Sequence, residues 1–283
     1  MKNTNPNSNK TGRESFPALL TLLQDEDDKV ASLAMEQFLN SGLAEAAVAE
    51  FQEANEPKLR QRIHQLNGIL HRRRVREAFL AAVASDRLGA WEGILQINQI
   101  YDPQCLAEKV TDAIHKLAAK VGREGATAAR IAALMKDDEF TVPDEDLLDV
   151  NLYLAERVVE SKYGSPALLC AITQYLGHEA GWNSTLVLHE GRFCLIDGRS
   201  MLIDPSQGWH VVHVNAETQL HPCTARDLWL GVLAQIFLVC LVDGNLRDLY
   251  QFGDLLAALN QGKLDDALPY PLGREGAGAQ VGF

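Results

Sequence analysis

The chain has no Cys-x-x-Cys pair, no His-x-x-x-His and no His-Glu-x-x-His. Its five cysteines, Cys105, Cys170, Cys194, Cys223 and Cys240, are scattered. Without clustered thiols or imidazoles a zinc site is not expected, and His210-Val211-Val212-His213 alone is too sparse to hold one. Neither a metal nor a cofactor is expected. Basic residues are in the minority, 26 Lys and Arg against 38 Asp and Glu, for a net charge of -12. Phosphate contacts need cations, so nucleic acid and anionic membrane surfaces are poor partners. The one basic run, His71 to Arg76, reads as a solvated helix face or a salt-bridge surface. No uninterrupted apolar run approaches the ~20 residues that span a bilayer. The richest, Ile236 to Val242, is short and sits in a helical pattern. Met1 to Glu14 is polar and lacks the apolar stretch of a secretory signal. The expected address is the cytoplasm, where the cysteines are free thiols.

At 283 residues the chain can hold one large domain or two ordinary ones. The expected divisions are a disordered tail over 1–14, a helical region over 15–88 and a mixed core over 89–223. A closing helical hairpin over 224–260 and a loose tail over 261–283 follow. Phe16, Leu19, Leu20, Leu22 and Leu23 make an apolar helical face. Asp25 to Asp28 supply a cap and first-turn acids for a second helix, which Gly42 ends. Helix, acidic turn and helix resemble a HEAT-like pair. A second pair fits Leu43 to Ala54 and Lys58 to Val83, with Pro57 at a first helical position. Further helices are expected over Trp91–Ile100, Gln104–Val121 and Thr127–Met135. An acidic loop, Lys136 to Asp146, precedes a helix over Leu147–Tyr163 and another over Ala167–Leu176.

Beyond Gly181 the apolar period changes from helical to two. Ser184–His189, Arg192–Ile196, Met201–Asp204 and His210–Val214 read as strands. Glu190-Gly191 is a hairpin turn and Asp197-Gly198-Arg199 a tight one. Thr224 is a natural N-cap for a helix reaching Val242. Asp243-Gly244-Asn245 turns the chain into Leu246–Leu259, a hairpin resembling a tetratricopeptide unit. The fold class expected is α+β.

Three segments carry a family resemblance. Ala90 to Val121, with its central Tyr101-Asp102-Pro103, looks like a leading helical pair. Val159-Glu160-Ser161-Lys162-Tyr163-Gly164-Ser165-Pro166 looks like a V-L-E-R-R-x-G-I-P segment. Leu202-Ile203-Asp204-Pro205-Ser206-Gln207-Gly208 looks like an F-I-D-P-F-x-G turn. Over roughly residues 90–260 the chain resembles the bacterial transglutaminase-like family related to the SirB-type proteins. That resemblance implies a core in which a helix N-terminus presents a nucleophile to a histidine and an aspartate on adjacent strands.

The implied triad is degenerate here. Spacing from Gly164 and Pro166 puts the nucleophile position at Leu168. The family's P-G-H-F-L-V strand matches Glu190 to Leu195, which puts Arg192 where the base should stand. Leucine cannot attack a carbonyl, and arginine stays protonated and cannot act as base. Only Asp204 survives. Cys170, about 200° round the helix from Leu168, is expected to point away from the old site into a core. His189 is expected on the sheet face opposite Arg192, and His178 in solvent. Cys194 shares a face with Arg192, and Trp209 stands beside the Asp-Pro turn. Arg192, Asp204, Cys194 and Trp209 are the binding candidates. The leading expectation is a catalytically inactive scaffold that binds a protein or peptide. A thiol hydrolase or peptidase with a relocated cysteine, and a small-anion binder at Arg192, stay open.

Overall fold

A computed structural model describes residues 8–260, apart from 86, 123, 124, 145–147 and 216. The tail expected over 261–283 lies outside the described residues, as do residues 1–7, Asp146 and Leu147. The chain divides into two compact units, Met1–Val75 and Arg76–Phe283.

The first unit is helical. It holds α1 (Ser8–Leu23), α2 (Asp28–Ser41), α3 (Ala44–Phe51) and the first part of α4 (Pro57–Ala84). Helix α1 begins at Ser8, within the stretch 1–14 expected to be a tail. Asp27 caps α2 by accepting from the Lys29 amide at 2.8 Å, and Gly42 ends it at φ 72°. That left-handed φ favours glycine, which has no Cβ to clash. Pro57 occupies the first position of α4, where its missing N–H costs no helical bond. Leu23, Ala34, Phe38, Ala47, Ile63 and Leu66 close a core between the helices. From the basic run, Arg74 reaches Glu45 at 2.6 Å, an exposed pair.

The second unit is α+β. Helices α5 (Ala90–Tyr101), α6 (Ala107–Val121), α7 (Ala128–Asp137), α8 (Ala155–Ser161) and α9 (Pro166–Glu179) precede the sheet. Strands β1 (Ser184–His189), β2 (Arg192–Asp197), β3 (Met201–Asp204), β4 (His210–His213) and β5 (Leu220–Pro222) follow. Helices α10 (Ala225–Val242) and α11 (Leu246–Leu259) form the closing hairpin. The sheet is antiparallel in the order β4-β3-β2-β1-β5.

Two elements differ from expectation. The helix expected over 147–163 is interrupted: a 3-10 turn, Val150–Tyr153, precedes α8, and Leu154 between them is extended. The break comes from a distant side chain. Buried Asn98 of α5 accepts the amide of Ala155 at 2.7 Å and so caps α8 from outside. The fifth strand, Leu220–Pro222, pairs with the outer edge of β1. Three residues ending in proline carry no readable period.

Helix α10 opens on a capping box in which Thr224 and Asp227 exchange bonds. It is long and apolar enough to cross a membrane by length and composition alone, with a mean hydropathy of 1.8. In this fold it packs against α5, α9 and α11.

Candidate functional site

The sequence places the degenerate positions on α9, β2 and β3, so the local geometry of these elements decides the site. Ser165 caps α9 by accepting from the Leu168 amide at 3.3 Å, and Pro166 fills its first position. Gly164 is needed for space. A Cβ there would lie 2.7 Å from Val158 and 3.1 Å from Leu169. Leu168 therefore stands in the first turn of α9 and is fully buried.

Cys170 is also fully buried, but its direction corrects the expectation. Its thiol donates to the Phe193 carbonyl of β2 at 3.3 Å. Every residue from Ala167 to Thr173 is buried. A helix buried all round has no outward face for a side chain to turn to.

Register sets the sheet faces. Leu195 pairs with Ile203 and Ile196 with Leu202. One step along, Cys194 comes opposite Asp204, so Arg192, Cys194 and Asp204 share a face. Phe193, Leu195 and Ile203 point to the other. The structure brings the first three together. The Arg192 Nε donates to Asp204 Oδ2 at 3.2 Å, and its Nη2 lies 3.0 Å from Glu190 Oε2. Asp204 also accepts from the Ser206 amide at 2.8 Å. Val187, Cys194, Leu202 and Val214 form a small core on this face, and among the described residues no α9 residue belongs to it. Helix α9 packs against β2 and against the Pro205–Gln207 turn that follows Asp204.

His189 corrects a second expectation. It pairs directly with Arg192 across the Glu190–Gly191 turn, and directly opposed residues share a face. His178 is exposed, as expected, with its side chain 72% accessible. Trp209 is buried at φ 65°, and its indole N–H donates to the Phe140 carbonyl. The Phe140 ring lies 4.3 Å beneath the Lys162 ammonium. Trp209 therefore anchors the β3–β4 turn to the segment after α7.

All five thiols resist ionisation. Burial pushes Cys194 up to about 12, and the Asp204 carboxylate adds to the shift while Arg192 opposes it. Burial raises Cys170 well above the ordinary thiol value. It brings Cys105, Cys223 and Cys240 to about 11. Nucleophilic cysteines need the reverse shift.

A cavity of about 760 Å³ opens beside the β1–β2 turn. Apolar Leu188, Phe193 and Pro222 line it together with His221, Cys223 and Asp227. Cys223 is the one cysteine with intermediate exposure. Its thiol donates to the His221 backbone carbonyl at 3.6 Å rather than to an imidazole. Asp227 is occupied by the Thr224 amide and hydroxyl, both at 2.7 Å. Sequence reasoning missed this cavity because β5 forms one wall. The Glu190-Gly191 turn and the Thr224 cap were the local signals near it. Among the described residues no group of three or more His, Cys, Asp or Glu could hold a metal ion. No family model, no curated protein and no solved structure matches this chain.

Proposed function

We propose that the chain is a catalytically silent transglutaminase-like scaffold that binds an extended peptide segment of a partner protein. In chain order, HEAT-like helical pairs would precede that core and a tetratricopeptide-like hairpin would follow it. The observation that carries the reading is the cavity beside the β1–β2 turn. Its apolar wall of Leu188 and Phe193 suits one buried side chain, and Thr218, Gln219 and His221 on its rim can bond a peptide backbone. Leu168 and Arg192 at the nucleophile and base positions support silence, because neither can do the chemistry. The guanidinium of Arg192 already meets two carboxylates, which leaves little charge for a small anion. A thiol hydrolase would have to use Cys223, since the other four cysteines are buried. Its thiol, raised to about 11 by burial and then by Asp227, is protonated at neutral pH.

A displayed library of extended peptides, followed by fluorescence anisotropy on the selected sequences, tests this. His221 is an exposed rim residue, so His221→Trp fills the mouth of the cavity without touching the core. Selected peptides carry an apolar anchor, bind the wild type, lose at least tenfold in affinity for His221→Trp, and are released unaltered in mass. Peptides that bind the variant equally well would refute the site. Peptides returned cleaved or acylated would refute the silence.

A further inference from the structure

A second cleft, of about 480 Å³, lies between the start of α5, the end of α9 and the first residues of β1. It shares no lining residue with the peptide cavity. Its chemistry is one-sided. Glu92 and Glu179 line it, and among the described residues no Lys or Arg does. Glu92 is committed to its own helix. Gly89 is the N-cap of α5, and a Cβ on it would meet the Glu92 carboxylate at 2.1 Å. That carboxylate folds back over the helix start, where the dipole favours it.

Glu179 is different. It is the last residue of α9, at the negative end of the helix dipole. Its nearest cationic candidates are His178 at 3.6 Å and His115 at 3.8 Å, both beyond a good hydrogen bond. Among the described residues no cationic side chain comes within hydrogen-bond distance of the Glu179 carboxylate, which leaves it open to a ligand.

The wall beside Glu179 is aromatic. The Tyr175 ring stacks on Trp91 with centroids 5.3 Å apart, and its hydroxyl bonds His115 at 3.0 Å. The Trp91 indole is held by Thr111 at 3.4 Å, so the stack is fixed from behind. Burial raises the Tyr175 phenol, and Glu179 and then Glu92 raise it further. Ser184 contributes a buried hydroxyl oxygen with no partner to the same cleft. An aromatic face, an unneutralised carboxylate, a helix C-terminus and a spare acceptor together fit a cation that carries carbon.

We propose that this cleft binds an organic ammonium group. The Tyr175 ring takes the alkyl surface and Glu179 takes the charge. Primary and quaternary ammonium share this chemistry, and the test separates them.

Full-length protein is titrated with butylammonium, tetramethylammonium and the neutral isostere neopentyl alcohol. Binding is read from the Trp91 indole N–H shift in proton–nitrogen spectra and from calorimetry. At least one cation binds and saturates, and the alcohol binds at least tenfold more weakly. A preference for butylammonium marks a lysine-like amine, and a preference for tetramethylammonium marks a methylated one. Glu179→Gln weakens the cation at least fivefold, Tyr175→Phe retains it and Tyr175→Leu loses it. Thermal melts establish that each variant is folded. Equal binding of alcohol and cations, or unchanged affinity in a folded Glu179→Gln, would overturn the proposal.

Discussion

Arg192 and Asp204 lie diagonally across the β2–β3 ladder, with Nε 3.2 Å from Oδ2. Cys194 sits directly opposite Asp204, so the guanidinium reaches over a buried thiol to meet the carboxylate. The Asp204 side chain is 8% exposed and that of Arg192 is 29% exposed. Such a pair locks register, because a slip of one residue would send Asp204 to the apolar face with Ile203.

Removing Asp204 alone leaves the Arg192 guanidinium with only Glu190, which is itself exposed. Asp204→Asn is expected to cost about 2–3 kcal/mol, less than a fully buried pair because Arg192 is partly solvated. The double variant with Arg192→Leu should cost less than the sum of the singles by at least ~1 kcal/mol. Urea unfolding of the four proteins measures the coupling. Additivity within about 0.5 kcal/mol would mean the contact contributes nothing.

The thiols set an alkaline limit on stability. Cys105, Cys223 and Cys240 rise to about 11 and Cys194 to about 12 in the folded chain, from an ordinary value of 9.0. Between those values the folded state holds protons that the unfolded state has released. Stability from this source is full below pH ~9 and falls as pH rises through ~11. The urea midpoint should drop over that window, and drop less in Cys194→Ala once its own cost at pH 7 is subtracted. An identical slope in both proteins would contradict the assignment.

Gly164 tests the packing at the start of α9. In Gly164→Ala the new methyl meets Val158 and Leu169 at 2.7 and 3.1 Å. Overpacking of this kind costs ~1–3 kcal/mol. The melting temperature should fall by several degrees, and Val158→Ala in the same chain should recover part of it.

Asn98 is 2% exposed and caps α8 through the Ala155 amide. Asn98→Leu leaves that amide buried without a partner, at a cost of ~1–3 kcal/mol. Hydrogen exchange at Ala155 should accelerate along with the loss of stability. An unchanged rate would show that the cap is not what holds the break before α8.

Local chemistry was legible in the sequence. Glu190-Gly191 gave the hairpin, and both residues adopt positive φ, 50° and 78°. Thr224 and Asp227 gave the start of α10, and the period-two alternation gave the first four strands. Cys194 was placed on the face of Arg192, because alternation along one strand depends on no distant partner. What escaped depends on tertiary contact. Asn98 breaks a helix 57 residues away, β5 exists only because β1 offers an edge, and Trp209 is fixed by the Phe140 carbonyl. His189 was misplaced because single-strand counting ignores the turn that folds it back beside Arg192.

The most direct test of catalytic silence is a single-turnover assay. Full-length protein in excess is mixed with a glutamine-containing peptide, an activated ester and a saturating primary amine. Products are followed by mass spectrometry before and after alkylation. The account predicts no hydrolysis, no acyl transfer and no covalent adduct on any of the five cysteines. Turnover that disappears when Cys223, Cys194 or Cys170 is alkylated would contradict it.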